Sequence, residues 1–74
     1  MDVEVRLFAT LREGRFGKKS LELPEGIPVR EVLDRLAIQS NEVSIVLING
    51  KEGDIDRSLA SGDVLSLFPA VGGG

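Results

Sequence analysis

Cysteine and histidine are both missing from this chain, and each absence removes a class of chemistry. Without cysteine there is no disulfide, no thiolate metal site and no cysteine nucleophile. Without histidine the usual general base and the usual neutral metal ligand are gone. Carboxylates, lysines and backbone groups remain, so the chain is a poor candidate for a catalyst acting alone. An apolar run long enough to span a bilayer is lacking as well, since the longest candidate, Val43 to Ile48, has the length of a strand. The opening "MDVEVRLFAT" interleaves acids with apolar residues and has neither the basic start nor the continuous apolar core of a signal peptide. A cytoplasmic location, away from any membrane, is expected.

Positive charge is also in short supply. Twelve Asp and Glu against nine Lys and Arg leave a net charge of -3, which disfavours association with nucleic acid or anionic lipid. A chain of 74 residues makes one small domain, burying only about 60% of the surface it exposes when unfolded.

What the chain does have is clear periodicity. Val3, Val5 and Leu7 alternate with Glu4, Arg6 and Phe8, as in a strand with one buried face. "GRFGKK" reads as a turn, and "SLELPEG" resumes the alternation with Leu21 and Leu23, so a hairpin is expected. Val29, Val32, Leu33 and Leu36 then fall on one helical stripe behind Pro28, which suits a first helical position. No Ser, Thr, Asp or Asn stands at the N-cap. "VSIVLINGK" is the strongest strand, closed by Asn49-Gly50, a pair that favours positive φ at both positions. "EGDIDRSLASGD" is expected to be a long connection anchored by Ile55 and Leu59, holding a short strand or helical turn. "DVLSLF" supplies the last strand, with Leu65 and Leu67 on one face and Val64, Ser66 and Phe68 on the other.

The order strand, strand, helix, strand, connection, strand leaves one helix to cover one face of one mixed sheet. The expected fold is α+β, a β-grasp with four to five strands, the first and last adjacent and parallel at the centre. A right-handed crossover through the helix fits it. The whole of 1–74 is one such domain, with 69–74 a flexible C-terminal tail beginning at Pro69, which cannot donate to a ladder.

That tail, "PAVGGG", has almost nothing to bury. Glycine there gives backbone freedom and no Cβ to obstruct a narrow cleft, so a partner enzyme could thread it. A terminal carboxylate is a weak electrophile until a leaving group is installed, most simply as an acyl-adenylate made with ATP. A bare arm on a compact anchor would deliver it. The plainer alternative is a frayed end with no role.

At this point the residues resemble a known family. "LFATLRE", "LELPEG", "LINGK" and "SGDVLSLFPAVGGG", spread over nearly the whole chain, are similar to the ubiquitin-like sulfur carriers (MoaD/ThiS-like), most of all to the small sulfur-carrier subunit of molybdopterin synthase. The resemblance implies a co-substrate and accessory subunit rather than an enzyme, with no bound cofactor or metal. A ubiquitin-activating-type adenylyltransferase would use ATP to charge the carboxylate of Gly74, and a sulfurtransferase would convert it to a thiocarboxylate. The molybdopterin synthase large subunit would then take the tail, Gly73 lining its channel and Gly72 lengthening the reach. The free protein would be a monomer. Carriers for the thiamine or tungsten-cofactor pathways stay open, as does a protein modifier joined to target lysines, or an interaction module with passive glycines.

A docking surface is expected where Phe8, Leu47 and Phe68 share the sheet face turned away from the helix, with Pro69 and Val71 beside them. Against it stand a one-residue error of register on the third strand, or cover by the "EGDIDRSLASG" connection. Arg12, Arg15, Lys18 and Lys19 gather in the first hairpin, as a solvated turn or as a basic cluster meeting an acidic groove. Asp54 and Asp56 alone are too few for a metal site.

Overall fold

The computed structural model describes residues 1–70. Strand β1 (Asp2–Leu7) buries Val3, Val5 and Leu7 and turns the alternate residues outward, as their spacing requires. A short 3-10 turn over Ala9–Arg12 follows, and β2 (Lys18–Glu22) returns antiparallel with Val3 opposite Leu21 and Arg6 opposite Lys18. Helix α1 (Val29–Arg35) crosses to β3 (Val43–Ile48), the two-residue β4 (Lys51–Glu52) and β5 (Val64–Pro69). The sheet order is β2-β1-β5-β3-β4, with β1 and β5 parallel at its centre. This is the β-grasp arrangement.

Strand register assembles the core in rows. Val5, Leu65 and Ile48 line up across β1, β5 and β3, and Leu7, Leu67 and Val46 form the next row. Val29, Val32 and Leu33 of α1 pack on them and are almost wholly buried. Each such side chain contributes about 1.5–3 kcal/mol, and truncating Leu33 to alanine would cost about 2–5 kcal/mol.

Pro28 is the N-cap of α1 rather than its first residue, and it makes a bridge to Ser58. As the composition implied, no side chain caps that end. The C-terminus is a full Schellman arrangement, in which Ala37 N–H bonds Asp34 O (3.1 Å) and Ile38 N–H bonds Leu33 O (2.9 Å). Ala37 holds φ 58° in it, where glycine is the usual residue. Arg15 reinforces this end, donating to Leu36 O (3.0 Å) and Ala37 O (3.1 Å).

Asn49 and Gly50 take φ 54° and 83°, the paired positive values expected of their turn. The connection after β4 runs past the start of the helix, where Val29 N–H bonds Arg57 O and Arg30 N–H bonds Ile55 O. Leu59 is buried there and Ile55 partly so.

Strand β5 extends one residue beyond the expected stop at Phe68. Pro69 pairs with Val43, and Ala70 N–H bonds Glu42 O at 2.9 Å. That bond flanks the Val43 pair, so the N–H that proline lacks is not one β3 needs, and β1 has already ended on the other side. Pro69 is therefore part of the strand, and residues 71–74 of the expected 69–74 tail lie outside the described residues.

Candidate functional site

The face of the sheet away from α1 carries an apolar patch at the end of β1 and β5. Phe8 follows β1 directly and places its ring on Phe68, with centroids 4.3 Å apart and planes 9° from parallel. Ile45 stands opposite Phe68 across the β3–β5 ladder, and Leu47 stands opposite Ser66. On β3 it is Val46 and Ile48 that face the helix, so Leu47 sits on the open face as expected and the one-residue error of register does not occur. The long connection does not cover this face, because it packs at the helix side instead.

Phe8, Leu47 and Phe68 thus share the open face, each half-buried. Pro69, expected beside them, has instead the parity of Leu65 and Leu67 and pairs with the core-packed Val43, so it falls on the helix side. Val71 and the glycines Gly72, Gly73 and Gly74 lie outside the described residues. Ile45 belongs to the patch and was missed, although it is 42% exposed. Its parity with Leu47 was the available signal, hidden by an apolar run without alternation. Ser66, between Arg6 and Leu47 in register, is the one buried polar residue of the described chain. Charge sits at the rim, where Arg6 pairs with Glu4 and Glu52 lies opposite Leu47.

The basic hairpin divides by role. Arg15 is committed to the end of α1 and to Leu11 O (3.1 Å), and Lys19 lies 5.9 Å from the centre of the Phe16 ring. Arg12 and Lys18 face an open cleft beside Phe8. Asp56 pairs with Arg30 at 2.9 Å, and that hydrogen bond and charge hold its carboxyl below the ordinary value. Asp54 accepts from Asp56 N–H at 3.1 Å.

A network ties the β3–β4 turn to the start of β5. Asn49 donates to Asp63 (2.9 Å) and accepts from Val64 N–H (2.9 Å), while Asp63 accepts from Ala60 N–H (2.8 Å). Those two donors to Asp63, the Ala60 amide first, lower its pKa. The network fixes where β5 begins and hence where its far end presents Phe68.

Among the described residues no helix is long and apolar enough to cross a membrane. No curated protein matches the chain significantly. Among solved structures it is similar to SAMP1 from Haloferax volcanii, at 30% identity over 100% of both chains with a TM-score of 0.75. It is likewise similar to a putative molybdopterin converting factor subunit 1 from Pyrococcus furiosus, at 30% identity over 96% of this chain and 99% of that one, TM-score 0.72. A third similar structure is a complex of subunits 1 and 2 of molybdopterin-converting factor from Helicobacter pylori, 28% identical over 100% of both chains, TM-score 0.65. The ThiS family model matches residues 5–74, and with the β-grasp fold and the motifs at both ends this places the chain in the ThiS family of ubiquitin-like proteins.

Proposed function

We propose that this protein is a sulfur carrier for molybdopterin synthesis. The carboxylate of Gly74 attacks the α-phosphorus of ATP in a ubiquitin-activating-type adenylyltransferase and releases pyrophosphate. A persulfide on a sulfurtransferase attacks the acyl carbon and expels AMP, and a second thiol then cleaves the resulting acyl disulfide, forming a new disulfide and leaving a thiocarboxylate. Ionised at neutral pH, its sulfur is a stronger nucleophile than the oxygen it replaces. The tail then enters the large subunit of molybdopterin synthase and gives up the sulfur there.

The observation that carries this reading is the Phe8–Phe68 stack at the end of β5, an apolar surface held a few residues before the glycines. A rigid body can dock there while the terminal residues reach a separate active centre. The family match through residue 74 and the similarity to a subunit 1 that assembles with a subunit 2 support it.

A second reading has its own support. The similarity to SAMP1, the small archaeal modifier protein 1, favours a modifier whose activated Gly74 is attacked by a lysine amine of a target protein. Both readings need the same adenylation. Deleting Gly74 should abolish ATP–pyrophosphate exchange with the cognate adenylyltransferase and leave the folded core intact. Exchange at the wild-type rate in the truncated protein would refute both.

A further inference from the structure

We propose that the open cleft at the base of the first hairpin binds carboxylate side chains of an acidic segment on the protein that docks at the adjoining apolar face. The inference rests on the docking role given to that face above.

The cleft measures about 360 Å³ and is lined by Arg6, Leu7, Phe8, Arg12, Gly17 and Lys18. Its lining holds three cations and no carboxylate, in a protein of net charge -3. Arg6 and Lys18 stand directly opposite each other across β1 and β2, a like-charge pairing that costs stability in a sheet. Arg12 adds to it by crossing over Gly17, where a Cβ would stand 2.6 Å from a guanidinium nitrogen. The other hairpin cations have internal duties, Arg15 at the helix end and Lys19 beside Phe16. Arg6 shares Glu4, whereas Arg12 and Lys18 have no ion-pair partner among the described residues. Three converging cations, two of them unpaired, are complementary to carboxylates.

The floor decides between a peptide and a free inorganic anion. Two of the lining amides that could cradle a phosphate are already used, Leu7 N–H by Gly17 O (2.8 Å) and Phe8 N–H by Leu67 O (3.2 Å). Phe8, stacked on Phe68, makes the cleft continuous with the apolar patch. Methylene groups of a glutamate side chain suit such a floor, and a partner covering the patch carries its acidic segment into the cleft.

The test is an amide NMR titration of the full chain with a capped tetraglutamate peptide at low salt. Shifts should concentrate on Arg6, Phe8, Arg12, Gly17 and Lys18 and fade as salt is added. Arg12→Gln and Lys18→Gln together should weaken apparent affinity roughly tenfold. Lys18→Gln alone, an exposed change, should weaken it about threefold and keeps the test valid if the Arg12 variant disturbs the turn. The proposal is overturned by shifts spread evenly to Arg30, Arg35 and Lys51, by unchanged affinity in the variants, by no shifts, or by equal shifts with sodium phosphate at matched ionic strength. Because the titration uses neither ATP nor an activating enzyme, its failure leaves the chemistry of Gly74 standing. Failure of adenylation with an intact cleft would remove the carrier reading instead.

Discussion

Phe8, just past the end of β1, and Phe68, on the neighbouring parallel strand β5, lie face to face with ring centroids 4.3 Å apart. The stack locks the exit of β1 to the end of β5, immediately before Pro69 and Ala70. Phe68→Ala should therefore act in two ways. Loss of a half-buried aromatic pair costs about 1–2 kcal/mol of folding stability, measured by urea denaturation. If the patch docks the partner as proposed, association should weaken by about 2 kcal/mol, roughly thirtyfold, as expected of an aromatic anchor. Phe8→Leu, which keeps apolar area and loses stacking, should fall between.

Adjacent residues of β3 face opposite sides of the sheet, so they can test the proposed docking separately from folding. Ile45 is 42% exposed on the open face, whereas Val46 is 7% exposed and faces the helix. Ile45→Asp should lower the unfolding free energy by only about 1 kcal/mol while, on the proposed reading, reducing partner affinity at least tenfold. Val46→Asp should unfold the domain by burying an unpaired charge. Equal effects of the two substitutions on stability would contradict the assignment of faces.

Most of the fold was legible because its apolar residues alternate. Val3, Val5 and Leu7, and later Leu65 and Leu67, could be placed by period alone. The Asn49-Gly50 turn could be placed by its need for positive φ. Where periodicity fails, so did the reading. Val43 to Ile48 is apolar at nearly every position, and Ile45 was not assigned to the patch. Pro69 was taken as a stop, since sequence does not show which side of a strand has lost its neighbour. The clamp of Arg15 on Leu36 and Ala37 joins residues too distant in sequence for any local pattern to reveal.

Ala37 offers a direct check on the helix end. A non-glycine residue at φ 58° carries strain that glycine does not. Ala37→Gly should raise unfolding stability by about 1 kcal/mol in urea denaturation, with the Schellman bonds unchanged.

Acid should weaken the junction of the Asn49 turn with β5. The Ala60 amide and then the Asn49 side chain hold the Asp63 pKa below the ordinary aspartate value of 3.8. The stability this carboxylate contributes is thus complete above about pH 3.8 and is lost as pH falls through the lower folded value. Asp63→Asn should flatten the acid limb of a stability-against-pH curve. An acid limb identical to wild type would show that the network adds nothing at that junction.

The central claim concerns the end group of Gly74, and intact mass spectrometry of the protein isolated from its native cells tests it most directly. The carrier account predicts a population heavier by the exchange of one oxygen for sulfur, localised by fragmentation to the terminal glycine. A terminus always found as the plain carboxylate, or found only joined to lysines of other proteins, would contradict it.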